Sequence, residues 1–196
     1  MKQFCLTCKN QLTAGHGWCP EIDCPAEKSP WLLEPDENLG DIIIVRLITL
    51  LRHSALYEAS HHGTPVLLKV SHSGPWARDR LKREAAVFAK LNTDPQPPPH
   101  LAQLRPPHKQ TTAQQTPHGK ITLRGRLLYY MLFDFFSGNP LRDQLSQTPQ
   151  LWVQQVGQIV QQLSETAAFL HQHRCYHWMF SPEVILARFD LSLIHI

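Results

Sequence analysis

Four cysteines lie near the start of the chain, as Cys5-x2-Cys8 and Cys19-x4-Cys24. Each pair fits one tight turn, so its two thiolates converge with little loss of chain entropy, and two such pairs suit a tetrahedral zinc ion. A segment this small has no core, so the metal would supply most of its folding free energy. With all four positions closed by thiolates, the site would be structural rather than catalytic. His16 is an alternative ligand, and two disulfides are the alternative pairing. The second chemical pair is Lys69 and Glu84. Glu84 falls inside an apolar helical stripe formed by Leu81, Ala85 and Phe88, with Val87 and Leu91 alongside. A carboxylate on a core-facing stripe is costly unless a cation or hydrogen-bond donors meet it. Lys69 is the nearest cation on the preceding strand, whereas Arg80, one turn back, or plain solvent are the alternatives.

The elements that must position this pair are legible. Val66, Leu68 and Val70 alternate with Leu67 and Lys69, as in a strand with two distinct faces. Ser73-Gly74-Pro75 ends that strand, and Pro75 suits the first turn of a helix reaching Leu91. Upstream, residues 42–51 and 55–60 read as two further strands, joined to the Lys69 strand by the turn His61-His62-Gly63-Thr64. Residues 29–40 read as a polar linker bearing Glu34, Asp36 and Glu37. Residues 92–125 are dense in Pro, Gln, Thr and His and read as an insertion. Its run Pro95-Gln96-Pro97-Pro98-Pro99 favours polyproline geometry, Leu101 and Leu104 suggest a short strand, and residues 109–120 suggest an exposed loop. Residues 127–136 form an apolar strand ended by Ser137-Gly138-Asn139-Pro140, with Leu141 opening a short helix. Thr148 and Pro149 then suit the start of a long amphipathic helix carrying Trp152, Val156, Ile159, Val160, Leu163, Ala167 and Leu170 at steps of three and four.

Two resemblances follow. The cysteine segment resembles a zinc ribbon. The rest resembles the protein kinase family: a strand lysine with an inward helix glutamate, a strand ending in a Gly-x-Pro-Leu turn, then His177-x4-Pro182-Glu183-Val184-Ile185-Leu186 after a helix ending in Leu170-His171. That resemblance implies an α+β fold, an antiparallel N-lobe sheet with its helix and the start of a helical C-lobe, over residues 41–196, preceded by the zinc-ribbon-like module at 1–28 and the linker at 29–40. It implies that Lys69 and Glu84 form the cofactor-binding pair, the glutamate holding the lysine that meets the nucleotide phosphates. It also places Phe133 at the gatekeeper position and makes Asp134, Phe135 and Phe136 the hinge against adenine. His177, Pro182, Glu183, Ile185 and Leu186 match scaffold positions.

The working positions depart from the family. Met179 stands where the family has its catalytic Asp, and a thioether accepts no proton usefully. Val184 stands at the metal-binding Asn, Trp178 at the usual Arg and Ser181 at the usual Lys. Residues 49–55, just before Leu56, include no glycine to let backbone approach phosphate, although Arg52 or His53 offer side chains. Losing the acid alone costs roughly 10²–10⁴ in rate. Cys175 with His171, His173 and His177 is a weaker metal candidate, because rings at i and i+2 on a helix point about 200° apart.

The expected function is therefore a catalytically impaired pseudokinase that binds nucleotide or acts as a regulatory scaffold, with structural zinc, and with ATP, with or without Mg²⁺, as the nucleotide. The alternatives are an active divergent serine/threonine kinase seen as a fragment, and a zinc-ribbon protein that binds nucleic acid. Proteins are the expected partners or substrates. With 196 residues, 42% hydrophobic and 18% charged, the chain is globular, and its net charge of +3 is too small to argue for nucleic acid by itself. The start, Met1-Lys2-Gln3-Phe4-Cys5, has no apolar leader, and no run is long enough to cross a bilayer. The expected compartment is the cytoplasm, with reduced thiols. No Asp-Phe-Gly precedes Ile196, which suggests a truncated kinase-like domain of poor solubility.

Overall fold

The computed structural model describes residues 2–5, 8–12, 31–107, 116–147, 151–176, 181–188 and 193–195. At the N-terminus, β1 (Lys2–Phe4) pairs antiparallel with β2 (Gln11–Leu12) and with β3 (Trp31–Leu32). The main antiparallel sheet contains β4 (Asn38–Leu39), β5 (Ile42–Leu50), β6 (Ser54–His61) and β7 (Thr64–Ser71) as successive hairpins. Helix α1 (Pro75–Leu91) follows, then β8 (Leu104–Arg105), β9 (Gly119–Leu123) and β10 (Arg126–Asp134). β10 pairs with β7 along one edge, and with β8 and β9 in succession along the other.

β7 does what its alternation predicts. Val66, Leu68 and Val70 enter one core, with Ile42, Ile44, Tyr57, Tyr130 and Leu132. Leu67 enters another, with Leu56, Leu81, Ala85, Phe88, Met131 and Phe133. The sheet is thus dry on both faces. α1 begins with Pro75 after Gly74, whose φ of 116° few side chains tolerate. Its buried stripe is Ala77, Leu81, Ala85, Phe88 and Leu91, whereas Val87 is exposed, off the stripe by its helical angle.

Residues 31–39, read from the sequence as a linker, carry β3 and β4 and bury Leu32, Leu33 and Leu39 against the second face of the sheet. The Tyr57 hydroxyl accepts a hydrogen bond from the Leu33 amide at 3.1 Å, and Arg126 stacks on Trp31 with its guanidinium carbon 4.5 Å from the ring centre. Glu37 turns the segment, taking the Ile44 amide on its carbonyl at 3.0 Å. The 92–125 insertion also holds more order than its composition suggested. Leu101 is buried, β8 includes Leu104, and β9 pairs along the N-terminal half of β10, from Arg126 to Tyr130. Gly119 in β9 is required by close approach, because a Cβ there would stand 2.0 Å from the Tyr130 ring.

Beyond β10, β11 (Asn139–Pro140), β12 (Ile185–Ala187) and β13 (Leu193–His195) form a small antiparallel sheet. Helices α2 (Leu141–Gln147) and α3 (Leu151–Gln172) lie between β11 and β12. α3 buries Ile159, Thr166, Phe169 and Leu170, but Val156 and Val160 are exposed, so only part of the expected stripe is covered. The helix ends in a Schellman motif: Arg174 has φ 57°, the Cys175 amide donates to the Leu170 carbonyl at 2.8 Å, and the Arg174 amide donates to His171 at 2.9 Å. Thr148 and Pro149 lie outside the described residues.

Candidate nucleotide cleft

Lys69 sits mid-strand in β7, between Leu56 of β6 and Met131 of β10. Its side chain points to the face that α1 covers. There Lys69 Nζ donates to Glu84 Oε1, forming an ion pair from β7 to α1. The lysine side chain is 6% exposed and the glutamate 28%. Glu84 thus stands at the rim of its stripe, with the cation on its inner side. Arg80, the alternative partner, forms no ion pair with Glu84 among the described contacts.

The β5–β6 loop lies at the same end of the sheet. It is held from β7: the His72 amide donates to the His53 carbonyl at 2.9 Å, and His72 Nε2 donates to the Leu51 carbonyl at 2.8 Å. Burial drives the His72 pKa down, against that hydrogen bond. His53 packs edge-on against Trp76 at 4.0 Å between ring centres. Burial, then the charges of Arg80 and Arg52, bring its pKa down to about 4. A neutral His53 brings no charge to a phosphate, which leaves Arg52 as the cationic alternative in this loop.

The residues expected to form the hinge lie at the end of β10 and just beyond it. Phe133 is fully buried and meets Phe88 edge-to-face at 5.1 Å. Asp134 turns outward, its carboxylate 3.4 Å from Arg105, while its amide donates to the Gln103 carbonyl at 2.9 Å. Phe135 and Phe136 pack against the core beneath the sheet, and Phe136 accepts from the Gly138 amide at 2.9 Å in a tight reverse turn. The strand stops at Asp134 rather than at Phe136 because this turn takes over the backbone bonding.

On the far side, Leu170 and Leu186 join the same core as Leu81 and Phe133, so α3 and β12 close the underside of the site. Ser181 caps the turn before β12, its carbonyl taking the Val184 amide at 3.0 Å. Val184 packs among Leu141, Ile159 and Ile185 and offers no oxygen to a metal. His177, Trp178 and Met179 lie outside the described residues. His173 engages both ring nitrogens, with the Phe169 carbonyl at 3.0 Å and Asp94 at 3.1 Å, while His171 stacks near Tyr176. The two rings have separate partners, as their spacing implied.

No protein-family model and no curated protein sequence matches the chain. Solved structures do match. One is the apo form of PpkA-294, a bacterial Ser/Thr kinase, which superposes with a TM-score of 0.59 at 14% sequence identity over 84% of this chain. The fold is kinase-like. The matched part spans 60% of the PpkA-294 chain, and identity this low speaks for the fold alone. Leu67, Phe88 and Phe133, with Phe135 and Phe136 against them, form one core on the face of β7 that also carries Lys69.

The N-terminal cysteines are partly within view. Cys5 is buried, its amide donates to the Asn10 carbonyl at 3.0 Å, and its carbonyl takes the Lys9 amide at 3.0 Å. Lys9 adopts φ 62°, and the Cys8 amide points at Cys5 Sγ from 3.4 Å. An amide aimed at sulfur favours the thiolate form of Cys5. Cys19, Cys24 and His16 lie outside the described residues. No helix among the described residues is long and apolar enough to cross a membrane.

Proposed function

We propose that this chain is a pseudokinase: a kinase-like module that binds nucleotide and signals by binding, with little or no phosphoryl transfer. The observation that carries the reading is the Lys69–Glu84 ion pair on the covered face of the sheet. Two charges are kept in a site where apolar side chains would pack as well, which is costly without a use. In kinases this pair orients the lysine toward nucleotide phosphates. Lys69 would take that role here, with the Asp134 carbonyl and the Phe136 amide facing the base.

The transfer chemistry lacks its parts. Met179 has no basic oxygen for the substrate proton, and Val184 has none for Mg²⁺. The loop at 51–54 has no glycine and is tied to β7 through His72. The N-terminal knuckle would hold structural zinc through Cys5, Cys8, Cys19 and Cys24, and zinc would serve there only to fix the turn. Protein partners suit such a module, and the cytoplasm suits its reduced thiols.

The test combines a thermal shift with ATP, with and without Mg²⁺, and a γ-phosphate transfer assay. A Tm rise with ATP that Lys69→Met removes, without transfer, supports the reading. Transfer abolished by Lys69→Met makes the protein an active divergent kinase instead. Absence of any ATP effect at millimolar nucleotide overturns the nucleotide role. Salt-dependent oligonucleotide binding that is lost on chelation would point to the zinc module as a nucleic-acid binder.

A further inference from the structure

Two tight turns meet at the end of the sheet opposite the β5–β6 loop. Gly40-Asp41 joins β4 to β5, with Leu39 paired to Ile42, and His62-Gly63 joins β6 to β7, with His61 paired to Thr64. Ile42 pairs in turn with His61, so the two turns lie side by side. Adjacent residues of a strand normally point to opposite faces. Here His62 has φ 51° and Gly63 φ 78°, the left-handed pair of a type I′ turn, and this brings the second imidazole back beside the first. The two rings stand 4.3 Å apart between centres, tilted by 33°.

Both rings aim at one atom. His61 Nε2 lies 3.2 Å and His62 Nε2 2.9 Å from Asp41 Oδ2, and the three donor atoms all fall within 4.8 Å of one another. We propose that Asp41, His61 and His62 form a second metal site, for a borderline divalent transition ion such as Zn²⁺. Nitrogen and oxygen ligands sit about 2.0–2.2 Å from zinc, which sets them roughly 3.4 Å apart at tetrahedral angles. The two distances from Asp41 need to open by only a few tenths of an ångström, and the two imidazole nitrogens already lie within 4.8 Å of each other. Asp41 and His62 are exposed at hairpin tips and free to do so, and His61 is partly buried and anchors the set. Three protein ligands leave one position for water or for a group brought by another molecule. Lys69 pairs five residues further along β6, about 17 Å away at strand rise, so this site is separate from the candidate cleft. The ion would staple the β4–β5 turn to the β6–β7 turn.

The test is Zn²⁺ titration of the full chain by calorimetry, paired with Co²⁺ absorption. The cysteine knuckle, if it binds, shows a thiolate charge-transfer band, and the histidine site adds an equivalent without one. His62→Asn is the decisive variant, because Asn suits the left-handed turn position and removes the imidazole. It should keep the chelated Tm at or above that of the parent chain and weaken the band-free equivalent roughly tenfold or more. Asp41→Asn should do likewise. A parent chain with no band-free equivalent, or the same equivalent in His62→Asn and in the His61→Gln/His62→Gln double variant, overturns the proposal. In that case the three groups form only a hydrogen-bonded cluster.

Discussion

Arg142 Nη1 donates to Glu183 Oε1 at 2.7 Å, and the Arg142 amide donates to the Pro182 carbonyl at 3.1 Å. One residue at the start of α2 thus ties the segment after the hinge to the turn before β12. The side chains are 48% and 33% exposed, which limits the value of the pair. A double-mutant cycle of Arg142→Ala and Glu183→Gln should give a coupling of about 0.5–1 kcal/mol at low salt, shrinking at high salt. A coupling unchanged by salt would show that the contact works through packing instead.

The Lys69–Glu84 pair is asymmetric, and its two halves should respond differently. Glu84→Gln leaves a lysine that is almost wholly covered without its counter-charge, and should cost about 3 kcal/mol in urea unfolding. Lys69→Met leaves a glutamate that can turn to water, and should cost less than about 1.5 kcal/mol. Equal costs, or the reverse order, would mean that the lysine reaches solvent.

Tyr57→Phe removes the acceptor for the buried Leu33 amide. Burial raises the pKa of this hydroxyl above the ordinary phenol value, so it stays protonated and its oxygen accepts throughout the working range. The variant should lose about 1–2 kcal/mol, and amide exchange should quicken first at Leu33 and its neighbours. Exchange that quickens evenly along the chain would contradict a local role.

Acid should weaken the fold through His53 and His72. Both have folded-state pKa values below the ordinary value of 6.5, because burial disfavours the imidazolium. Below about pH 6.5 the unfolded chain takes up protons that the folded chain refuses, so stability falls as pH drops, for His53 down to about 4. The urea midpoint should therefore decline from pH 7.5 to pH 5, and His53→Gln should flatten that decline. Parallel slopes for parent and variant would remove His53 from the account.

Stripping the proposed zinc should lower Tm at neutral pH, and Cys5→Ser should abolish the response to chelator in the His62→Asn background, where the knuckle is the remaining site. Phe4 packs on the second core and Lys9 Nζ bonds the Leu50 carbonyl at 3.1 Å, so the loss should reach β5. A chelator that leaves Tm unchanged, with no zinc in the purified protein, would leave the knuckle as a plain turn.

The pair at the candidate cleft was legible because both residues interrupt apolar patterns: Lys69 breaks a strand of Val and Leu, and Glu84 breaks a helical stripe. The two faces of β7 were legible from alternation alone. The segment at 31–39 was not, because its acids and proline masked three leucines whose burial depends on a sheet far along the chain. β9 was hidden for a related reason, since Ile121 and Leu123 are too few to outweigh the polar residues before them. Periodicity overstated the contacts of α3, because a regular stripe predicts a face and not how much of it finds cover; Val156 and Val160 remain exposed. The Asp41, His61 and His62 cluster needed the pairing of Ile42 with His61, which no local pattern encodes.

A sheet greased on both sides is the middle slab of a sandwich, not a floor. Leu32, Leu33 and Leu39 are its upper slice, and they come from chain that precedes the hairpins they shelter. A shortened chain beginning at Asp41 would leave Tyr57, Val66, Leu68 and Leu132 bare, and such a slab sticks to its own copies.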